Sequence, residues 1–356
     1  MPVSFRRESK TVEVLAADST IVRYELEYRW DPLTSRVAVI CPHLREKWTE
    51  YYSVRDEEWL RSLVEASQAG CPFCHPTIDK VAARFAPNQL DEDQIRVDEV
   101  VAFPNLYPRT DFEAVVTSPG VHYLRLNEFT PTILAKFLTA ALDCIKQAYR
   151  KNDKLHYPVI GGNYLPPAGA SLVHYHMQLS MQEYPFESVR TLIDATTRYE
   201  QKEHANFWLD LMAVNEAREI ARTNNVYWYT PFAPTGFCEV RALITKPTFM
   251  SVSAQEVQEL AEGLSAVLTY YNDHGFAAFN FMLYSDRLDA ERSKRSKSIP
   301  PGLQIVARPN PRPNYLSIDS WYMPLLLQQA IVLERPEELA RDLKPYVTAA
   351  RFGGEQ

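Results

Sequence analysis

A faint internal repeat constrains this chain most. Two stretches run through the same order of elements: strand, strand, helix, strand, strand. The first comprises Val101-Ala-Phe-Pro-Asn105, then Phe112 to Pro119, an amphipathic helix over 130–149, a strand near Asn163 and a strand ending at Gln178. The second comprises Tyr229-Thr-Pro-Phe232, Phe237 to Pro247, a helix over 254–272, a strand over 279–284 and Leu303-Gln-Ile-Val-Ala307. Pro119 and Pro247 lie 128 residues apart, and Gln178 and Gln304 lie 126 apart. Nearly constant offsets across five elements argue for duplication, although local identity is low. Two unrelated α+β halves are the competing reading.

The remaining segments fall around this frame. Residues 12–15, 22–28 and 37–41 are β-rich, with Asp31-Pro-Leu-Thr34 as a turn. A short helix over 57–68 leads into Cys71-Pro-Phe-Cys74, and 97–125 reads as strands punctuated by Pro104, Pro108 and Pro119. Thr130-Pro131 is an N-cap followed by proline at the first helical position. Residues 157–161 and 172–180 read as strands, and 185–222 as a mostly helical, polar connector. The expected organisation is an N-terminal repeat over 1–184, a connector over 185–224 and a degenerate repeat over 225–356. Residues 285–301 form a charged, solvated loop. A phosphate-gripping role for its Arg292, Lys294, Arg295 or Lys297 carries less weight than simple exposure.

Composition excludes several classes. With 356 residues, 46% hydrophobic and 23% charged, the chain is globular and long enough for about two domains. A formal charge of -7 argues against a protein that coats nucleic acid, but not against a small anionic substrate. The longest apolar stretch, 322–333, is interrupted by Gln328-Gln329 and too short to span a bilayer. No membrane partner is expected. Five cysteines, an odd number without a visible signal peptide, lead to the expectation of a reducing cytoplasm.

The sharpest chemical signal is Val173-His174-Tyr-His176-Met-Gln178-Leu179. On a strand, side chains alternate, so His174, His176 and Gln178 would share one face at about 7 Å spacing. Two chance histidines on a sheet would not also explain Gln178 or the preceding Gly169-Ala-Ser171. A second signal is Cys71-Pro-Phe-Cys74. A lone CxxC is moderate evidence for metal, and no thioredoxin-like βαβ context supports a redox pair.

The His-x-His-x-Gln run after Asn163 and Gly169-Ala-Ser171 resembles the transferase branch of the histidine-triad superfamily. That branch includes the galactose-1-phosphate uridylyltransferases, ADP-glucose phosphorylase and the Ap4A phosphorylases. Its hydrolase branches carry a third histidine where Gln178 stands. Trp30-Asp-Pro-Leu-Thr34, Cys41-Pro-His-Leu-Arg45-Glu-Lys47 and Phe103-Pro-Asn105 match further family segments. The resemblance covers residues 25–180 well and the second half as a degenerate repeat.

The resemblance implies an α+β fold in which two histidine-triad (HIT)-like repeats share an antiparallel sheet with flanking helices. It implies a homodimer acting on a nucleoside diphosphate sugar and a phosphate-bearing acceptor. His176 would be the nucleophile on the α-phosphorus. Its other ring nitrogen would be held by an acceptor such as a backbone carbonyl. Gln178 would donate to phosphoryl oxygens, and Ser171 and the amides near Gly169 would stabilise the departing phosphate. Asn105 and Asn163 would hold nucleotide or phosphate, and Arg45 and Lys47 are phosphate-clamp candidates. In zinc-bearing members the other two metal ligands are a histidine after a Ser-Pro strand and the first histidine of the motif. Here those positions hold His122, after Ser118-Pro119, and His174. Cys71, Cys74, His122 and His174 would thus hold a structural zinc.

Some residues depart from the family pattern. Leu172-Val173 stands where Asn-Pro is usual, and Pro300-Pro-Gly302 replaces a histidine pair in the second repeat. A second catalytic or metal centre is therefore not expected there. The leading expectation is transfer of a nucleoside monophosphate to a sugar 1-phosphate. Phosphorolysis with inorganic phosphate is the alternative, with a non-catalytic nucleotide-binding protein behind it. A hydrolase is disfavoured by Gln178.

Overall fold

The computed structural model describes residues 3–45, 55–290, 299–311 and 322–352. An N-terminal sheet is built from β1 (Arg7–Leu15), β2 (Ile21–Trp30) and β3 (Val37–Ile40). The C-terminal strand Ala330–Val332 joins β3 in parallel. The remaining strands are β4 (Ile95–Val97), β5 (Val100–Pro104), β6 (Phe112–Thr117), β7 (Tyr157–Tyr164) and β8 (His176–Gln182) from the first repeat. The second supplies β9 (Glu219–Arg222), β10 (Val226–Tyr229), β11 (Val240–Ile244), β12 (Ala278–Tyr284) and β13 (Gly302–Arg308).

These ten strands form one antiparallel sheet in the order β4-β5-β6-β8-β7-β12-β13-β11-β10-β9. Read outward from the centre, both halves use their strands in the same order. The pairing repeats to the residue: Phe103 opposite Val115 recurs as Tyr229 opposite Arg241, and Val115 opposite Gln178 as Arg241 opposite Gln304. Gly161 opposite Gln178 recurs as Met282 opposite Gln304, and Gly161 and Met282 pair directly with each other. A local two-fold axis therefore passes between them, and the duplication read from the spacing is a structural fact.

Two long helices cover one face. α1 (Glu57–Gln68) precedes them; α2 (Pro131–Lys151) and its counterpart Ala254–Asp273 lie against each other and against the sheet. Thr130 Oγ1 accepts from Ile133 N, and Pro131 opens α2 where no amide partner is needed. Leu134, Phe137, Leu138, Ala141, Ile145 and Ala148 line its buried stripe. Gly162 permits close approach at the repeat boundary: a Cβ there would sit 2.2 Å from the Phe281 ring. With helices on one face, the opposite face carries His176 and Gln178.

Three sequence expectations change. The strand expected over 172–180 begins only at His176, so His174 lies in the bend before it. The β-rich reading of 97–125 ends at Thr117, and the chain then turns into a single 3-10 turn at Leu126–Glu128. The connector over 185–222 is helical through Glu187–Glu203 and Phe207–Val214, but its last four residues are the edge strand β9. Glu-Ile-Ala-Arg is too short a run to show alternation.

The N-terminal sheet is tied to the second repeat by Arg29, which is fully buried. Its Nε donates to Glu27 at 2.8 Å and its terminal nitrogens donate to both Glu337 oxygens at 3.0 Å. Arg218 also donates to Glu337, at 2.8 Å. Burial opposes ionisation of Glu337, but the Arg29 and Arg218 guanidiniums outweigh it and hold the carboxyl below its usual range. Glu337→Ala strands a buried guanidinium and is expected to cost about 3 kcal/mol in urea unfolding at pH 7. The native carboxyl titrates below its unfolded value of about 4.3. Its contribution is therefore complete above that pH and fades as pH falls through the native value, so the gap between wild type and variant closes in acid.

Candidate active site and metal centre

Three segments converge on one donor cluster. Cys71 and Cys74 come from the loop after α1, His122 from the turn after β6, and His174 from the bend before β8. Their ligand atoms all lie within 4.8 Å of one another. Cys71 Sγ is 3.5 Å from His174 Nδ1, and Cys74 Sγ is 3.3 Å from both His122 Nδ1 and His174 Nδ1. Ligands at about 2.3 Å (sulfur) and 2.0 Å (nitrogen) around a tetrahedral zinc have S–N edges of roughly 3.5 Å.

The outer contacts agree. His174 Nε2 donates to the Ser118 carbonyl at 3.0 Å, and His122 Nε2 is 3.0 Å from Ser67 Oγ. Ser67 Oγ itself donates to the Val64 carbonyl. Each Nδ1 is thereby left as the lone-pair donor facing the thiols. Burial lowers His174 to about 4, which keeps the imidazole neutral. Burial, then the neighbouring Cys71, raises the Cys74 thiol to about 11. A cluster of two thiols and two imidazole lone pairs converging within one ion's reach fits a site completed by a cation. The residues present fit zinc.

His176 opens β8 and is 7% exposed. Its Nδ1 is 2.9 Å from the His174 carbonyl. A carbonyl only accepts, so Nδ1 carries the proton and Nε2 keeps its lone pair. The expected backbone tether is therefore present, supplied by a residue of the donor cluster. Burial holds the imidazole below its ordinary value, so it stays neutral. Phe73, inside the Cys71–Cys74 loop, packs edge-on to His174 and His176 at 5.8 and 5.3 Å. Sequence reasoning passed over Phe73 because an aromatic between two cysteines has no spacing signal.

Gln178 follows two residues on, on the same face. Arg109 Nη2 donates to its Oε1 at 3.2 Å. The guanidinium has only donors, which turns the Gln178 NH2 group away from it. Arg109 is itself held by Glu113, which accepts from its backbone N at 2.9 Å and its Nε at 3.3 Å. The buried Glu113 also accepts from Asn105 Nδ2 at 3.1 Å and Ser180 Oγ at 3.1 Å. Asn105 thus reaches the site through Glu113. Arg109 and Glu113 were not singled out from sequence; the signal was present, since each stands 126 residues before a polar partner in the second repeat, Thr235 and Glu239.

Asn163 lies on β7, one step past the last pair that joins β7 to β8, which puts it level with His176. Asn280 Nδ2 from the second repeat donates to Asn163 Oδ1 at 2.7 Å and to the Ala168 carbonyl at 2.8 Å. Buried Arg308 donates to the Pro167 carbonyl. These bonds brace the loop carrying Gly169, with its left-handed φ of +81°, and exposed Ser171. Arg45 goes elsewhere: it lies within electrostatic reach of Glu334 and Cys238 in the second repeat. β11, which follows Cys238, is four strands from β8, or roughly 19 Å at 4.8 Å per strand. Within this chain Arg45 is not brought to His176. Lys47, Arg292, Lys294, Arg295 and Lys297 lie outside the described residues.

The expected metal content of the purified chain is one zinc per chain by elemental analysis. Cys74→Ser is expected to lose most of it and, with it, thermal stability. Titration with a chelator should release the metal and lower the melting temperature of the wild type toward that of the variant.

No family model matches the chain. Over 347 residues, 96% of the chain and 98% of the relative, it is 26% identical to an uncharacterized protein of Archaeoglobus fulgidus. It is 24% identical over 197 residues to ADP-glucose phosphorylase of Arabidopsis thaliana, covering 49% of this chain and 53% of that one. The structure of an Arabidopsis thaliana ADP-glucose phosphorylase with bound ADP-glucose superposes with a TM-score of 0.70 at 19% identity, over 90% of this chain and 98% of that one. A uridylyltransferase structure gives 0.64 at 18% identity, over 90% and 98%. The chain therefore carries the fold of these ADP-glucose phosphorylase and uridylyltransferase structures.

Proposed function

We propose that the chain is a nucleotidyltransferase that takes a nucleoside monophosphate from a nucleoside diphosphate sugar onto His176 and passes it to a phosphate-bearing acceptor. The observation that carries this reading is the bond from His176 Nδ1 to the His174 carbonyl, which frees Nε2 on the same strand face as Gln178. In the first step the Nε2 lone pair attacks the α-phosphorus. The bond from that phosphorus to the bridging oxygen breaks, and the sugar phosphate leaves with the electron pair. In the second step an acceptor phosphate oxygen attacks the same phosphorus and Nε2 leaves. Neither step needs a proton moved at Nδ1, which keeps its hydrogen and donates it to the carbonyl, easing the positive charge on the ring.

Gln178 offers its NH2 group to the phosphoryl oxygens in both steps. It cannot shuttle a proton to water, which favours transfer over hydrolysis. Arg109 supplies positive charge beside it. Asn163 and the Gly169–Ser171 loop, braced by Asn280 and Arg308, hold the departing phosphate. A zinc held by Cys71, Cys74, His122 and His174 supplies a cross-link, not a Lewis acid. His174 spends its Nδ1 on that cluster while its carbonyl orients His176.

The acceptor we favour from the motif is a sugar 1-phosphate. Likeness in sequence and in fold to ADP-glucose phosphorylase supports a second reading, with inorganic phosphate as acceptor. Intact-protein mass after incubation with UDP-glucose, ADP-glucose or GDP-glucose separates these. One donor is expected to add one nucleoside monophosphate, and His176→Ala to abolish the gain while still binding that donor. Adding glucose 1-phosphate, galactose 1-phosphate or inorganic phosphate then shows which acceptor discharges the adduct. An equal gain in His176→Ala would refute the assignment.

A further inference from the structure

The second repeat keeps the frame of the first site and loses its nucleophile. Glu239 stands where Glu113 does, Thr235 where Arg109 does, and Gln304 where Gln178 does, each 126 residues later. The bonds recur with them. Thr235 N donates to Glu239 Oε2 as Arg109 N does to Glu113 Oε2. Gln304 Nε2 donates to Glu239 at 2.9 Å and to Thr235 Oγ1 at 2.9 Å. The position of His176 is taken by Gly302. A Cβ there would lie 2.4 Å from Tyr284 Oη, so the tyrosine occupies the place of an imidazole.

On this same sheet face the second repeat opens into a cavity of about 690 Å³, within the range of small-molecule sites. Arg241 and Gln304 form its floor, and the turn at Asp31 and the helix Glu187–Glu203 form part of its rim. The Arg241 side chain is 18% exposed. Its Nε donates to Glu239 at 2.7 Å, and its two terminal nitrogens have no hydrogen-bond partner among the described residues. Gln304 uses only its Nε2, leaving Oε1 as a free acceptor toward the cavity. Two free donors thus stand beside one free acceptor. Tyr229, Phe232 and Trp208 supply aromatic wall.

The charge of the floor selects against phosphate. Arg241 is balanced by Glu239, and the rest of the lining adds two carboxylates, Asp31 and Glu187, against one further cation, Arg36. Thr235 also replaces the cation that Arg109 supplies in the first repeat. The complementary ligand is neutral, flat and edged with both acceptors and donors. Arginine and glutamine read base edges in this way, and aromatic walls stack bases.

We propose that this cavity is a second, non-covalent binding site for a nucleoside, held by its base between aromatic walls and read at its edge by Arg241 and Gln304. The proposal does not depend on chemistry at His176.

The test is calorimetric titration of full-length His176→Ala with adenosine, guanosine, cytidine, uridine and glucose. One nucleoside is expected to bind. Thr191 is an exposed residue on the cavity rim, and Thr191→Trp introduced in that background projects an indole across the mouth. It is expected to weaken the nucleoside at least tenfold, and Gln304→Met, which removes the free acceptor, to do the same. If the tryptophan variant does not fold, Gln304→Met decides alone. In the otherwise wild-type chain Thr191→Trp should leave nucleotidyl-His176 formation unchanged, which separates this site from the catalytic proposal. No nucleoside binding, glucose bound instead, or nucleoside affinity unchanged in every folded variant would overturn the inference.

Discussion

The pairing of β7 with β12 is the constraint on which the rest of the structure depends. Each repeat alone would end in an open sheet edge with unpaired amides. Joining the two central edges closes both liabilities at once and makes one ten-stranded sheet. Because Gly161 and Met282 are counterparts that pair with each other, the join is a symmetric one, and both repeats present the same face to the same side. The long helices then stack together on the opposite face. Glycine at 162 is part of the arrangement, since the Phe281 ring occupies the space a side chain would need.

From this symmetric start the halves diverge by a few side chains. A buried glutamate organises each half: Glu113 collects Asn105, Arg109 and Ser180, while Glu239 collects Thr235, Arg241 and Gln304. In the first half the carboxylate positions an exposed arginine beside Gln178. In the second it neutralises a half-buried arginine at a cavity floor. The same carboxylate therefore would support a phosphate-facing surface in one repeat and a neutral one in the other, as proposed for the two sites. The second repeat also serves the first directly, through Asn280 and Arg308, whose bonds to the carbonyls of Ala168 and Pro167 fix a loop that contains two residues with positive φ, Leu165 and Gly169.

Local chemistry was legible in the sequence, and geometry across elements was not. The duplicated order, the helix starting at Thr130-Pro131 and the Cys71, Cys74, His122, His174 set all follow from spacing, caps and a family resemblance, and the structure brings those four residues together. His174 was misplaced on the strand because alternation alone does not say where a ladder begins. Pairing of β6 with β8 ends at Thr117 opposite His176, and that boundary is set by the turn at Ser118 and by the cluster, not by local preference. Arg109 has no local pattern in its proline-rich loop, and its one signal is the 126-residue offset to Thr235; its meaning comes from Glu113, at the start of the next strand, and from Gln178 on another.

The misplaced His174 turns out to be the more informative position. Had it continued the strand, its side chain would point along the same face as His176 and the two rings would compete for one substrate. In the bend, its ring turns into the cysteine cluster while its carbonyl remains free to hold His176 Nδ1. With the proposed metal in place, one residue would couple a cross-link between three distant segments to the tautomer of its neighbour. Phe73 adds a second path between the same two places, packing against both rings from inside the cysteine loop. If a metal joins these segments, its loss would be felt at His176 first as a loss of orientation, through the His174 carbonyl and the Phe73 ring.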